Sequence, residues 1–174
     1  MTAGETAGET TGEGSGGPER PRFLADAMLG RLARWLRVLG YDTSYDALLP
    51  DAALVALAGR EGRVLLTRDR HLLRELRPPL ALEVRSDDPL AQLRDVIGAL
   101  ALAPPLELFT RCLVCNTLLD EVPAEAAAAV VPPESRGLPG PVRRCPECDR
   151  VYWPGSHVRR MRHALDGALP GWLS

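Results

Sequence analysis

The sequence predicts an α/β fold, with a small parallel sheet and flanking helices followed by a smaller module that carries paired cysteines. Three observations lead to this fold class. Short apolar runs alternate with stretches of helical spacing from Arg22 to about residue 108, most of these runs are followed by an aspartate, and all four cysteines come later in two Cys-x-x-Cys pairs. Such alternation is typical of a parallel sheet covered by helices on both faces.

The elements follow in order along the chain. The predicted strands are residues 22–25, 42–45, 63–66 and 80–85. The first predicted helix, residues 28–40, places four leucines at helical spacing and stops at Gly40. Asp51 occupies the N-cap position of the second helix, and residues 70–77 form a short third helix.

The fourth predicted helix lies within residues 86–100. Asp88 is its expected cap, and Pro89 takes its first position, where a missing N–H costs nothing. Beyond residue 108, "RVYW" at 150–153 predicts part of a hairpin, and a short basic helix is expected from about Gly155.

Composition places the chain among globular proteins. The hydrophobic fraction is 45% and the charged fraction 25%. No stretch approaches the roughly 20 apolar residues of a membrane span, and the N-terminus lacks the apolar core of a secretory signal. We therefore expect a cytoplasmic location without membrane association, where cysteines serve metal binding or catalysis more often than disulfides.

Charge is distributed unevenly along the chain. Residues 1–21 are a low-complexity tail of net charge −3, which we expect to be disordered, whereas residues 143–163 carry +4. All 21 basic residues are arginine, so any phosphate contact must use a guanidinium group. A basic end suits nucleic acid, and a solvated charged face explains the same pattern.

Aspartates follow each of the four predicted strands. Asp26, Asp46, Asp69 and Asp87 come after strands one to four, and Asp51 begins the helix after strand two. Since ligands of open parallel sheets bind beyond the carboxyl ends of the strands, these acids are expected on one edge. Mg²⁺ or Mn²⁺ would neutralise such a cluster and serve phosphodiester hydrolysis. The alternative is that they only form turns and cap helices.

The four cysteines form two identical pairs. Cys112 and Cys115 are separated by 29 residues from Cys145 and Cys148, and together they predict a closed, structural zinc site of four thiolates. A redox pair, two disulfides and an iron–sulfur cluster are the alternatives. His157 and His163 are read as surface or RNA-facing residues rather than ligands.

The chain resembles a known nuclease family. "DAALVALAGREGRVLLTRDRHL" is similar to the PIN-domain pattern, and together with "FLADAMLGRLARWLRVLGYDTSYD" and the cysteine pairs it resembles the Mut-seven C-terminal RNase family, a PIN-like domain fused to a zinc ribbon. The resemblance runs from about Arg22 to Met161. It implies that Asp26, Asp51 and Asp69 are the metal-binding catalytic acids, supported by Thr67.

The chain departs from full PIN nucleases at one point. Those usually carry a further acid, often Glu, on a helix between the first and later aspartates, and no such helix is predicted here. Asp46 is the residue placed to substitute for it.

Arginines are the candidate substrate contacts. Arg31, Arg34 and Arg37 step by three along the first helix, and Arg68 lies beside Asp69. With the resemblance, Arg31, Arg34 and Arg68 are assigned to RNA phosphates, while Trp35 is assigned to the core. A solvated helix face is the alternative.

These observations predict three regions and one function. The regions are a disordered tail (1–21), a PIN-like nuclease domain (22–108) and a zinc ribbon with a basic C-terminal segment (109–174). The function is metal-dependent hydrolysis of RNA, with structural Zn²⁺, catalytic Mg²⁺ or Mn²⁺, and RNA held partly by the ribbon. The alternatives are a non-catalytic RNA-binding or adaptor protein with a vestigial site and, more weakly, a protein-interaction module.

Overall fold

The computed structural model of the chain describes residues 20–173, so the predicted disordered tail lies almost wholly outside the described residues. Its strands are β1 (Phe23–Ala25), β2 (Thr43–Tyr45), β3 (Val64–Thr67), β4 (Ala81–Glu83), β5 (Asp120–Glu121), β6 (Arg143–Arg144) and β7 (Val151–Tyr152). Its α-helices are α1 (Gly30–Val38), α2 (Asp51–Glu61), α3 (Arg70–Leu76), α4 (Pro89–Ala99), α5 (Ala124–Val130) and α6 (Ser156–Ala168). The predicted α/β fold class is confirmed.

The four-stranded sheet is parallel throughout, in the order β2-β1-β3-β4. Leu24 pairs with Leu65 and Ala25 with Leu66, so β1 and β3 present matched side chains to each face. Leu24 and Leu65 join a smaller core with α2 and α3, whereas Ala25 and Leu66 join a larger one with α1 and α4. Both faces are covered by helices, as the near-continuous apolar strands predict.

Helix α1 ends where the sequence predicted. Gly40 has φ +78°, a left-handed conformation that suits glycine, and its N–H donates to the Arg37 carbonyl at 2.9 Å. Leu32 and Leu36 are fully buried, and Trp35 packs partly buried against the larger core, as expected.

Of the two predicted helix caps, the structure confirms one and contradicts the other. Asp88 accepts hydrogen bonds from the N–H groups of Leu90 and Ala91, which confirms it as the cap of α4. The cap predicted at Asp51 is wrong: Pro50 precedes α2 and Asp51 is its first helical residue. The reason is that the Pro50 carbonyl already accepts the first helical bond, from Leu54 N–H at 2.8 Å.

The second sheet is antiparallel, in the order β5-β6-β7. Between β5 and β6 the chain makes an excursion over residues 123–141 that contains α5, and Val122 N–H donates to the Val142 carbonyl at 2.8 Å where it leaves and returns. The predicted basic helix is α6, whose Met161 and Leu165 enter the larger core beside α4. The proposed boundary between residues 108 and 109 stays a prediction, because the two parts share this core.

Within residues 20–173, the structure contains no helix of the length and apolarity needed to cross a membrane.

Candidate active site and metal centre

The direction of the chain changes at the centre of the parallel sheet. From β1 the chain passes through α1 to β2 on one side, then through α2 back across to β3 on the other. The carboxyl ends of β1 and β3 therefore flank the crevice of a topological switch point, the usual ligand site of open α/β sheets.

Asp26 lies at this switch point and is only 8% exposed. One carboxylate oxygen accepts the Met28 N–H at 2.8 Å. The other accepts the Arg68 N–H at 3.1 Å and the Thr67 hydroxyl. These donors come from the turn after β1 and from the end of β3, and they hold the carboxylate in one orientation.

Thr67 joins Asp26 to Asp69. Its fully buried hydroxyl donates to Asp26 and accepts the Asp69 N–H at 2.9 Å. Asp69 caps α3, because its Oδ1 accepts N–H groups from His71 at 2.7 Å and Leu72 at 3.1 Å. Strand β3 therefore ends in Thr-x-Asp because the hydroxyl links the two acids and the second acid starts the next helix.

Asp51 stands apart from this pair. It is exposed at the start of α2, which packs on β1 and β3, so it lies at the carboxyl edge of the sheet. Among the described residues its carboxylate makes no hydrogen bond or ion pair.

The remaining acids of the edge have local structural roles. Asp46 accepts the Leu48 N–H at 2.9 Å in a turn, and Asp87 pairs with the Arg68 guanidinium. Nothing in this geometry singles out Asp46 as a fourth ligand.

Within residues 20–173, one group of three or more His, Cys, Asp or Glu side chains converges closely enough for a metal, and it is the four cysteines. The linked pair of Asp26 and Asp69 nevertheless fits a hard cation in its donor chemistry. Mg²⁺ is commonly held by one or two carboxylates, with waters and substrate phosphate completing the shell.

The arginines separate into exposed and buried groups. Arg31 and Arg34 are exposed on α1, and Arg68 is half-buried beside Asp87. Arg37 shares the spacing of Arg31 and Arg34 but belongs to the buried group. Its side chain is buried and donates to three carbonyls, those of Thr43, Leu113 and Val114, at 2.9–3.0 Å.

The four cysteine sulfurs lie within 4.8 Å of one another. Individual Sγ–Sγ distances are 3.6 Å for Cys112–Cys148, 3.4 Å for Cys115–Cys145 and 3.7 Å for Cys115–Cys148. A tetrahedral zinc ion with Zn–S bonds of about 2.3 Å places its sulfurs about 3.8 Å apart. The geometry fits one zinc ion, and all four cysteines are free thiols rather than disulfides.

The two cysteine pairs adopt the same turn. Cys112 N–H donates to the Thr117 carbonyl at 2.8 Å and Cys145 N–H to the Arg150 carbonyl at 2.9 Å. The residue after each pair, Asn116 or Asp149, has a left-handed φ of +70° or +60°. Asn and Asp tolerate this conformation, so the repeated spacing encodes two equivalent knuckles.

Tyr152 supports the centre from β7, and sequence reasoning missed it. Its hydroxyl accepts the Leu113 N–H at 3.0 Å and therefore directs its own proton to Cys112 Sγ, 3.2 Å away. Burial raises the pKa of the Cys112 thiol, but hydrogen bonds from the Cys115 backbone and Tyr152 outweigh it and lower the pKa to about 6. A tyrosine in a hairpin carries no spacing signal that marks this role.

A polar joint, defined here as Arg37, Asp42, Arg63 and Asn116, fixes the first knuckle to the sheet. Asn116 donates to Asp42 at 2.8 Å and accepts the Thr43 N–H at 3.0 Å, while Arg63 pairs with Asp42 at 2.6 Å. Although burial opposes it, the hydrogen bond from Arg63 holds the pKa of Asp42 below its usual value. Sequence reasoning found none of these roles, and the partners of Asn116 lie 73 and 74 residues away in the chain.

Comparison with known proteins identifies one relationship. A family model described as "Mut7-C RNAse domain" matches residues 21–165, most of the chain. No curated protein and no solved structure shows significant similarity to it.

Proposed function

The chain belongs to the Mut7-C RNAse domain family, and we propose that it is a metal-dependent ribonuclease that hydrolyses RNA phosphodiester bonds. The observation that supports this most is the link from Asp26 through Thr67 to Asp69 at the switch point of the sheet. Both carboxylates follow central strands at their carboxyl ends, which is where such folds bind ligands.

Asp26 and Asp69 would hold the divalent cation, with Asp51 at the same edge as a third oxygen ligand. When bound, Mg²⁺ or Mn²⁺ would acidify a water and stabilise charge on the leaving oxygen. Thr67 keeps the Asp26 carboxylate oriented through its hydroxyl. Arg31, Arg34 and Arg68 would bind RNA phosphates near the crevice, where guanidinium groups make paired hydrogen bonds.

The cysteine module would hold one structural zinc ion and assist RNA binding. Four thiolates at tetrahedral spacing leave no open position for substrate, so zinc would stabilise the fold rather than take part in hydrolysis. A reducing compartment such as the cytoplasm keeps these thiols available.

Asp69→Asn tests the proposal. Asparagine caps a helix about as well as aspartate, so α3 should persist while the charge that binds the cation is lost. We expect Mn²⁺-dependent cleavage of mixed RNA to disappear, with RNA binding unchanged or slightly tighter.

Asp88→Asn is the matched control, because Asp88 caps α4 through the same two backbone bonds. It should cleave as the unmodified protein does. Cleavage that survives in Asp69→Asn would contradict the nuclease proposal.

A second candidate function is a non-catalytic RNA-binding or adaptor protein. It is favoured by the local structural roles of the edge acids and by the absence, within residues 20–173, of a converging group of three carboxylates. RNA binding without divalent-dependent cleavage by the unmodified protein would select it.

A further inference from the structure

A cavity of about 480 Å³ lies where the cysteine module meets α1. Its walls come from α1, the first knuckle, the excursion, β7 and the first turn of α6. This volume is within the range of small-ligand sites, and the cavity takes no part in the site at the sheet edge.

Trp153 forms an aromatic wall of the cavity. Trp35 and Trp172 pack against the larger core, whereas Trp153 is half-buried outside it. A Cβ atom at Gly155 would lie 2.6 Å from the indole Nε1 and 3.1 Å from Cδ1. The indole therefore lies directly against the Gly155 backbone, which fixes its position without enclosing it.

The charges around the cavity favour an anion. Arg34, Arg150 and Arg159 line it against one acid, Glu134. Arg159 donates to the Pro154 carbonyl at 3.1 Å, and Arg150 lies beside Cys148. Two cations, Arg34 and Arg159, consequently face the cavity without a carboxylate partner among the described residues.

Helix α1 connects the cavity to the sheet edge. It begins at Gly30, just after Asp26 and the turn that follows it, and Arg34 lies about 6 Å along its axis. Arg31, which is exposed, lies between Asp26 and Arg34 along the chain. An RNA strand that follows α1 from the edge thus meets the cavity within a few nucleotides.

We propose that this cavity binds one unpaired base of single-stranded RNA, stacked on Trp153, with its flanking phosphates on Arg34 and Arg159. The identity of the ligand as RNA rests on the proposed ribonuclease function. Stacking on an aromatic ring needs an unpaired base, so the cavity selects single-stranded over duplex RNA.

The test is the affinity of a fluorescein-labelled mixed-sequence RNA octamer, measured by anisotropy without added divalent cation. Trp153→Ala should raise Kd about 5-fold to 150-fold, because one stacked base is worth about 1–3 kcal/mol. Trp153→Phe should keep part of the affinity. Gly155→Ala should weaken binding, because the added Cβ would displace the indole. Backbone strain is not expected, because the φ of −79° at Gly155 suits alanine.

Trp172→Phe is the matched control and should bind as the unmodified protein does. A duplex of the same sequence should bind more weakly, and its affinity should not depend on Trp153. The cavity proposal is overturned if Trp153→Ala keeps its zinc and melting temperature yet binds the octamer with a Kd within about twofold of that of the unmodified protein. A twofold change is smaller than the effect of about 1 kcal/mol expected for the loss of one stacked base.

Photocrosslinking of the unmodified protein to RNA containing 5-iodouridine gives a second measurement that needs no variant. The peptide bearing Trp153 should be labelled, and labelling confined to other peptides would overturn the proposal. Labelling at Trp153 in a protein that cleaves no RNA would support the cavity proposal and overturn the nuclease proposal. RNA cleavage together with unchanged RNA binding by Trp153→Ala would support the nuclease proposal and overturn the cavity proposal.

Discussion

The sheet edge and the cysteine centre are both candidate metal sites, and they are built in different ways. At the edge, Asp26 and Asp69 are tied to the backbone by hydrogen bonds that also end strands and start helices. At the cysteine centre, four sulfurs converge at tetrahedral spacing from two copies of one turn.

This difference corresponds to what each metal requires. A structural zinc ion takes all its ligands from the protein, so its site is complete in the polypeptide alone. A hard cation that acts on phosphate takes part of its coordination shell from water and substrate, so the protein supplies only some of the ligands, held in a fixed orientation. Three of the variants below perturb one site while leaving the other as reference, and Arg37→Met tests the polar joint between the two regions.

Cys145→Ser should have the largest effect, because binding of structural zinc is worth about 10–16 kcal/mol in small zinc domains. Zinc content should fall from about one ion per chain to a small fraction, and residues 109–155 should become protease-sensitive. Mass spectrometry and limited proteolysis measure both. His163→Ala, at an exposed position on α6, should keep its zinc; a Cys145→Ser protein with full zinc content would refute the four-cysteine assignment.

Arg37→Met should lower the free energy of unfolding by about 3 kcal/mol, because three carbonyls lose a buried donor. Since these carbonyls belong to β2 and to the first knuckle, unfolding of both parts should shift together in urea. Arg34→Met, one turn earlier on the exposed side, should change stability little. If only one part shifted, the polar joint would not couple the two regions.

Tyr152→Phe should weaken zinc affinity about 10-fold to 100-fold, the usual effect of losing a partner of a metal ligand. The hydrogen bonds from the Cys115 backbone and from this hydroxyl together lower the pKa of Cys112 to about 6, so the thiolate is present above that pH and protonates as pH falls through it. Without the hydroxyl this pKa rises, and zinc should be released at higher pH than in the unmodified protein. Chelator competition across pH measures the shift, with Tyr45→Phe as control; unchanged release would exclude the role of Tyr152.

Thr67→Val should have the smallest effect, lowering the free energy of unfolding by about 1–2 kcal/mol, because one buried hydroxyl is lost while the strand keeps a β-branched residue. Cleavage should drop sharply because Asp26 loses a donor and Asp69 loses its link. Thr43→Val, a buried threonine on β2 away from the edge, should lose similar stability and retain cleavage. Equal cleavage activities of the two variants would show that the Thr67 hydroxyl has no specific role in the site.

The sequence was sufficient for features with local signals. Strand and helix order, the Asp88 cap, the Gly40 stop and the paired knuckles all follow from residues close in the chain. The structure links Asp26 to Asp69 through Thr67 at the edge that strand order predicts, whereas the catalytic roles of Asp26, Asp51 and Asp69 stay predictions.

What the sequence did not reveal depends on long-range contacts. Arg37 has the same spacing as Arg34, and only the first knuckle, some 76 residues later, makes it a buried residue. Tyr152 is likewise defined by a cysteine 40 residues away. Periodicity describes one element at a time, so it cannot assign residues whose partners lie in another module.

The excursion between β5 and β6 bears on how this fold can diversify. It leaves and rejoins the small sheet at the Val122–Val142 hydrogen bond, and doubling the length of such a loop costs only about 0.6 kcal/mol in closure entropy. Leu138 and Glu134 from this segment also form one wall of the cavity beside Trp153. Insertions and deletions there would reshape that wall while leaving the knuckles and the parallel sheet intact, so ligand preference and folding can vary independently.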